Sequence, residues 1–270
     1  MWPMLPLRLK LWHALLGFAL YGVMLVLLTS MVDLVPALSV VLQTQWATPV
    51  QNLLIALAAL AVLAWPRGAL AEQAPLHPAP WPRFFIVVIA ITLAITLFAL
   101  WFESTVPGAR EAGDQVAQSF GLGRSVWTDL AVILGTVVMA PLGEEMIFRA
   151  LIFRGLRDGL ARWIGLQPAV IVATLASAFL FAIAHGGEGQ DAQIAALLVT
   201  GGLLALSYEL TGTLAAPILV HSLNNMLALS QAVSAGPNVG FAADGAMLAV
   251  YGAPVVLLAG LALARRASVR

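Results

Sequence analysis

Three short polar patterns interrupt an otherwise apolar chain: Glu144-Glu145-x-x-x-Arg149, Phe181-x-x-x-His185 and His221-x-x-x-Asn225. Carboxylates and imidazoles are the side chains of acid and base catalysis, and inside a membrane span they persist where they pair, line a cavity or do chemistry. At about 100° per residue, Glu145 and Arg149 stack one turn apart with the acid first, the favoured order for an ion pair. Glu144 points about 100° away from Glu145 and is free for another task, so one carboxylate can be structural and the other catalytic. The same spacing of four stacks Phe181 on His185, and His221 on Asn225. Asn224, three residues after His221, competes with Asn225 as the working amide.

Each pattern alone also has a structural reading. The acids with Arg149 could be a buried ion cluster, His185 an interfacial histidine, and His221 with Asn225 interhelical hydrogen-bonding glue. Their occurrence together on consecutive apolar segments favours chemistry. If 143–162 and 166–185 form a hairpin turning near Gly165, Glu144 and His185 lie about 18 to 21 residues from the turn and so at similar depth.

The elements that position these residues follow from composition. Of the 270 residues, 61% are hydrophobic and 10% charged, which requires lipid as the solvent for most of the chain. The expected fold is all-α, a polytopic transmembrane bundle of about eight spans: 11–31, 48–64, 84–102, 126–140 continuing past Pro141 to 162, 167–185, 193–209, 212–230 and 247–264. Continuous apolar runs without alternation favour helices over a barrel. The run behind Arg8 and Lys10 is too long for a signal peptide and reads as a retained first span. Segment 36–47, with Gln43, Gln45 and Trp46, reads as interfacial. The proline-rich connector 65–83 divides residues 1–83, a transmembrane pair, from a core bundle over 84–270, with the motifs within 127–230.

Zero net charge gives no basic surface for nucleic acid, and the absence of cysteine removes disulfides and thiol chemistry. The expected partners are membrane lipids and a peptide or protein substrate near the membrane. Basic clusters at Arg8 and Lys10, at Arg154, Arg157 and Arg162, and at Arg265, Arg266 and Arg270 place both termini in the cytoplasm, in a bacterial inner (plasma) membrane. His13 reads as an interface residue and His77 as solvated. Asp33, Asp129 and Glu209 fall at hydrated span ends, Glu188 is near enough to His185 to approach the site, and Trp65, Trp81, Trp101 and Trp127 read as interfacial anchors. Zinc-helix, nucleophile-turn and aspartyl-protease motifs are absent, and Ser222 does not face His221 on a helix. No transporter-like repeat is visible, which disfavours a proton-coupled carrier; a non-catalytic scaffold or bacteriocin-immunity protein is the other alternative.

The ordered set of three patterns over about 127–230 resembles the CPBP family, the CAAX-type prenyl endopeptidases and bacteriocin-processing enzymes also called the Abi family of intramembrane proteases. Glu144, Glu145 and Arg149 match its first motif, Phe181 and His185 its second, His221 and Asn225 its third. The resemblance implies that Glu144 and His185 polarise a water for attack on a peptide carbonyl. It implies that His221 and Asn225 stabilise the oxyanion. A divalent metal such as zinc could be held by Glu144, His185 and His221.

Overall fold

The computed structural model describes residues 9–34, 47–64, 79–109, 125–185 and 193–235. Every regular element among them is helical, as the apolar runs demand, because a helix satisfies its backbone polar groups internally. We number seven rods: α1 (Leu11–Leu34), α2 (Ala47–Ala64), α3 (Trp81–Thr105), α4 (Val126–Ile164), α5 (Leu166–His185), α6 (Ile194–Thr211) and α7 (Ala215–Ala235). Four of them, α3, α4, α5 and α6, are long and apolar enough to cross a membrane, and Leu11–Val23 and Thr48–Val62 are shorter apolar stretches. The protein is thus an integral membrane helical bundle. Segment 36–46, most of the proline-rich connector, Glu188 and the expected eighth span at 247–264 lie outside the described residues.

Local chemistry sets the rod ends. Ser125 caps α4, its hydroxyl accepting from the Thr128 amide at 3.1 Å. Gly165 closes the other end with φ +81, a left-handed conformation that glycine adopts without cost, and α5 begins at the next residue. This is the hairpin turn expected from the sequence.

The 39-residue α4 is not a uniform helix. Two π-helical stretches, Leu134–Met139 and Met146–Phe153, flank a short α-helical piece, Ala140–Glu145, that carries both glutamates. The Ala140 amide bonds the Gly135 carbonyl, and the Arg154 amide bonds Arg149, each five residues back. Pro141 has no amide to continue an ordinary ladder, which accounts for a register change at its position. Pi-helical turns inside α-helices recur at functional sites, where they re-aim side chains.

Small residues bring neighbouring rods against α4. A Cβ on Gly143 would stand 2.7 Å from the Asn52 carbonyl oxygen, so α2 touches α4 backbone to backbone beside Glu144. Helix α1 runs antiparallel to the second half of α4, with Leu11 against Gly159, Ala14 against Gly155 and Gly17 against Leu151. The core between these rods and α5 to α7 is built from Ile147, Phe148, Leu151, Phe181, Leu204 and Leu219, all nearly inaccessible. The opposite faces of α3 and α5 carry exposed Ile86, Ile89, Leu93, Leu175 and Phe179, as lipid contact requires.

Candidate active site

The α4–α5 hairpin brings Glu144 and His185 to one depth. Glu144 Oε2 lies 3.2 Å from His185 Nε2. Helix α7 adds His221, whose Nε2 is 3.9 Å from the same oxygen. The two imidazoles therefore converge on one carboxylate from two helices. Exposure is graded across the group, with the His185 side chain 30% accessible and that of Glu144 12%, against 5% for His221. The cluster opens past His185.

Both outer ring nitrogens are held. His185 Nδ1 is 2.8 Å from the Phe181 carbonyl oxygen, one turn back on α5, and His221 Nδ1 is 2.8 Å from Glu145 Oε1. Each partner is an acceptor, so each Nδ1 carries a hydrogen and donates. A neutral imidazole then presents a lone pair at Nε2. Glu144 Oε2, buried and without an aligned hydrogen bond, faces two such lone pairs. Three acceptors pointed at one another need at least one proton or one bridging donor among them.

Glu145 makes the ion pair with Arg149 expected from their spacing. Arg149 Nη1 donates to its Oε1 at 3.0 Å and Nη2 donates to the Gly201 carbonyl at 3.0 Å, tying α4 to α6. The guanidinium carbon stands 4.7 Å from the Phe181 ring centroid, a cation over an aromatic face. Phe181 also sits 4.3 Å from the His185 ring and 5.7 Å edge-on from His221. One aromatic ring thus sets the spacing of a guanidinium and both imidazoles.

Asn225 follows His221 by one turn, and its side-chain amide donates to the Thr136 carbonyl at 2.8 Å. That carbonyl belongs to the first π-helical stretch, so Asn225 fastens α7 to α4 where the regular ladder is disturbed. Asn224 makes only a 3.5 Å contact with Asn225 Oδ1. Glu144, Glu145, Arg149, Phe181, His185 and His221 thus meet in one cluster, with Asn225 at its edge and Asn224 outside it. Among the described residues, no group of three or more His, Cys, Asp and Glu side chains is arranged to hold a metal ion. The suggested Glu144, His185 and His221 set offers chemically suitable donors but not a ready cage.

Sequence reasoning missed a second buried polar cluster on α4. Arg154 and Arg157, read as part of a cytoplasmic basic loop, are fully buried within the helix, while Arg162 is exposed. Asp158 accepts from Arg154 Nε at 3.4 Å and from Arg157 Nη1 at 2.5 Å, and also from the Leu9 amide at 3.1 Å. Arg157 pairs with Glu209 at 2.8 Å, and Arg154 donates to the Tyr208 hydroxyl at 3.2 Å. Glu209 is therefore ion-paired rather than only hydrated at a span end. The signal was present as Arg154-x-x-x-Asp158, an acid and base one helical turn apart. Asp129 is likewise buried, and His13 is buried and stacked on Trp12 at 3.6 Å, its Nδ1 accepting from the Lys10 amide.

Residues 126–227 match the family model of the type II CAAX prenyl endopeptidases, described as Rce1-like. The match covers α4 to α7 as far as Leu227 and contains Glu144, Glu145, Arg149, Phe181, His185, His221 and Asn225. No curated protein and no solved structure matches the chain.

Proposed function

We propose that this chain is an intramembrane endopeptidase of the CAAX prenyl protease type, hydrolysing peptide bonds of membrane-associated or lipid-tethered peptides. The observation that carries this reading is the convergence of two Nε2 atoms on Glu144 while both Nδ1 atoms are occupied elsewhere. That arrangement holds two imidazoles in fixed tautomers and leaves their reactive nitrogens for a third party.

Charge balance assigns the roles. Glu144, Glu145 and Arg149 sum to one negative charge, so one proton on the imidazole pair makes the buried group neutral, the state that low-dielectric surroundings favour. We assign that proton to His221, whose Nδ1 donates to the Glu145 carboxylate. Glu144 and His185 Nε2 are then both acceptors for the two hydrogens of a water. Glu144 takes one of these protons as the water oxygen bonds the peptide carbonyl carbon. The protonated His221 Nε2 and the remaining amide hydrogen of Asn225 donate to the oxyanion. Collapse breaks the carbon–nitrogen bond, and the leaving amine takes the proton held by Glu144. A divalent ion, where bound, would supply Lewis-acid polarisation of that water.

Partial exposure of His185 and Glu144 supports a cavity that admits a peptide. Prenylated tails, leader peptides and secreted peptides near a bacterial inner membrane are the substrate classes, with both termini on the cytoplasmic side. The test is cleavage of such peptides by protein purified in nanodiscs, comparing wild type with Glu144→Ala and His221→Ala, with and without chelator. Cleavage lost in both variants supports the reading, and chelator sensitivity assigns a metal. Wild-type protein that cuts no better than the variants overturns it in favour of a scaffold or immunity role.

A further inference from the structure

The family-matched segment begins at residue 126, and a polar side chain from far outside it, Tyr21, packs beside the site. Helix α1 lies antiparallel along α4 in a fixed register. The start of α1 is clamped: the Leu9 amide donates to Asp158 at 3.1 Å, and Arg162 donates to the Leu9 carbonyl at 3.2 Å. One turn further along, Ala14 meets Gly155, and Gly17 meets Leu151 so closely that an added Cβ would stand 2.8 Å from the leucine Cβ. Tyr21 is one turn beyond Gly17 on the same face. Its ring packs on Phe148 with centroids 5.3 Å apart, tilted by 58°.

Phe148 is four residues after Glu144 and its side chain leans back over that turn, so the tyrosine ring packed on it lies beside the stretch of α4 that carries the carboxylate. Tyr21 is close enough to Glu144 for the carboxylate charge to bear on its hydroxyl. It is only half-buried, in keeping with a position on the wall of an accessible site. With Glu144 Oε2 turned toward the imidazoles, Oε1 is the oxygen left for a further donor. A phenol supplies one O–H donor on a rigid ring and adds no charge.

We propose that Tyr21 is a positioning residue of the Glu144 site, its hydroxyl donating to the glutamate through one water and so fixing the orientation of the carboxylate for attack. The proposal deepens the peptidase reading and rests on it for the effect on turnover, while the contact itself is independent of activity. It assigns α1 a part in the site instead of a purely lipid-facing role.

Two measurements on the full chain test it. In protein labelled with 3-fluorotyrosine, the three tyrosines Tyr21, Tyr208 and Tyr251 give three fluorine resonances, assigned by tyrosine-to-phenylalanine substitutions. The expected result is that Glu144→Gln moves the Tyr21 resonance and leaves that of Tyr208 in place; an unmoved Tyr21 resonance overturns the contact whether or not any peptide is cut. In the cleavage assay, Tyr21→Phe keeps the ring on Phe148 and removes only the hydroxyl. Loss of one hydrogen bond to a charged group predicts a kcat about 10- to 100-fold lower, with KM and thermal midpoint unchanged. Turnover within about twofold of wild type overturns the positioning role, as does a loss accompanied by an equal fall in thermal stability. Wild-type protein that cleaves nothing sinks the peptidase reading instead, and the fluorine result then decides whether Tyr21 belongs to the site.

Discussion

Helix α4 carries two buried ionic clusters, and they differ in how their charges are matched. Around Asp158, both carboxylate oxygens are taken, by Arg154, Arg157 and the Leu9 amide, and Glu209 answers the second arginine. Around Glu144, one oxygen each of Glu144 and Glu145 is buried without an aligned donor, and two imidazole nitrogens face the Glu144 oxygen. The first cluster has an opposite charge for every charge. The second is short of donors and opens to solvent only past His185. A matched cluster holds helices in register, because removing any member leaves an unpaired buried charge. An unmatched one has capacity left over for a ligand or a proton.

That contrast predicts opposite consequences for similar substitutions. Glu144→Gln is expected to lower peptide cleavage by about 10²- to 10⁴-fold, as loss of a general base does, while the thermal midpoint in nanodiscs stays level or rises. A variant that cleaves normally would remove Glu144 from the chemistry. Asp158→Asn should do the reverse, destabilising the bundle by about 3–5 kcal/mol in a denaturant titration while the folded fraction keeps its turnover. Equal stability of this variant and wild type would show that the Asp158 cluster is not the staple described. Gly143→Ala pushes a methyl group toward the Asn52 carbonyl and should cost about 1–3 kcal/mol, with a loss of activity out of proportion because Glu144 is the next residue. Tyr208→Phe, which deletes one acceptor of Arg154 and leaves Asp158 in place, should cost about 0.6 kcal/mol, the mean for a hydrogen bond between membrane helices, and leave kcat unchanged.

The helices were legible in the sequence because each is an uninterrupted apolar run. The expected 167–185 and 193–209 differ from α5 and α6 by one or two residues at their ends. The hairpin at Gly165 and the meeting of Glu144 with His185 followed from counting residues to a turn at a constant rise per residue. Counting fails where the helix itself changes pitch. Nothing in Leu134–Met139 or Met146–Phe153 announces a π-helical backbone, so the link from Asn225 to the Thr136 carbonyl could not be foreseen. Nor could the approach of His221 to Glu145 in addition to Glu144, which depends on the docking angle of α7. Arg154 and Arg157 were misread because charge density was taken as a sign of water, whereas the matching acids lie one turn and one helix away.

The tight turn at Gly165 also bears on the order in which a nascent chain acquires this site. Glu144 and His185 belong to one hairpin with a single-residue turn, so a short, local loop closure suffices to bring them together. His221 is supplied by a helix synthesised later, 76 residues after Glu145. Chain order alone allows the acid and imidazole pair to form before the second imidazole is available. On the proposed peptidase reading, a site built this way is silent until α7 has docked.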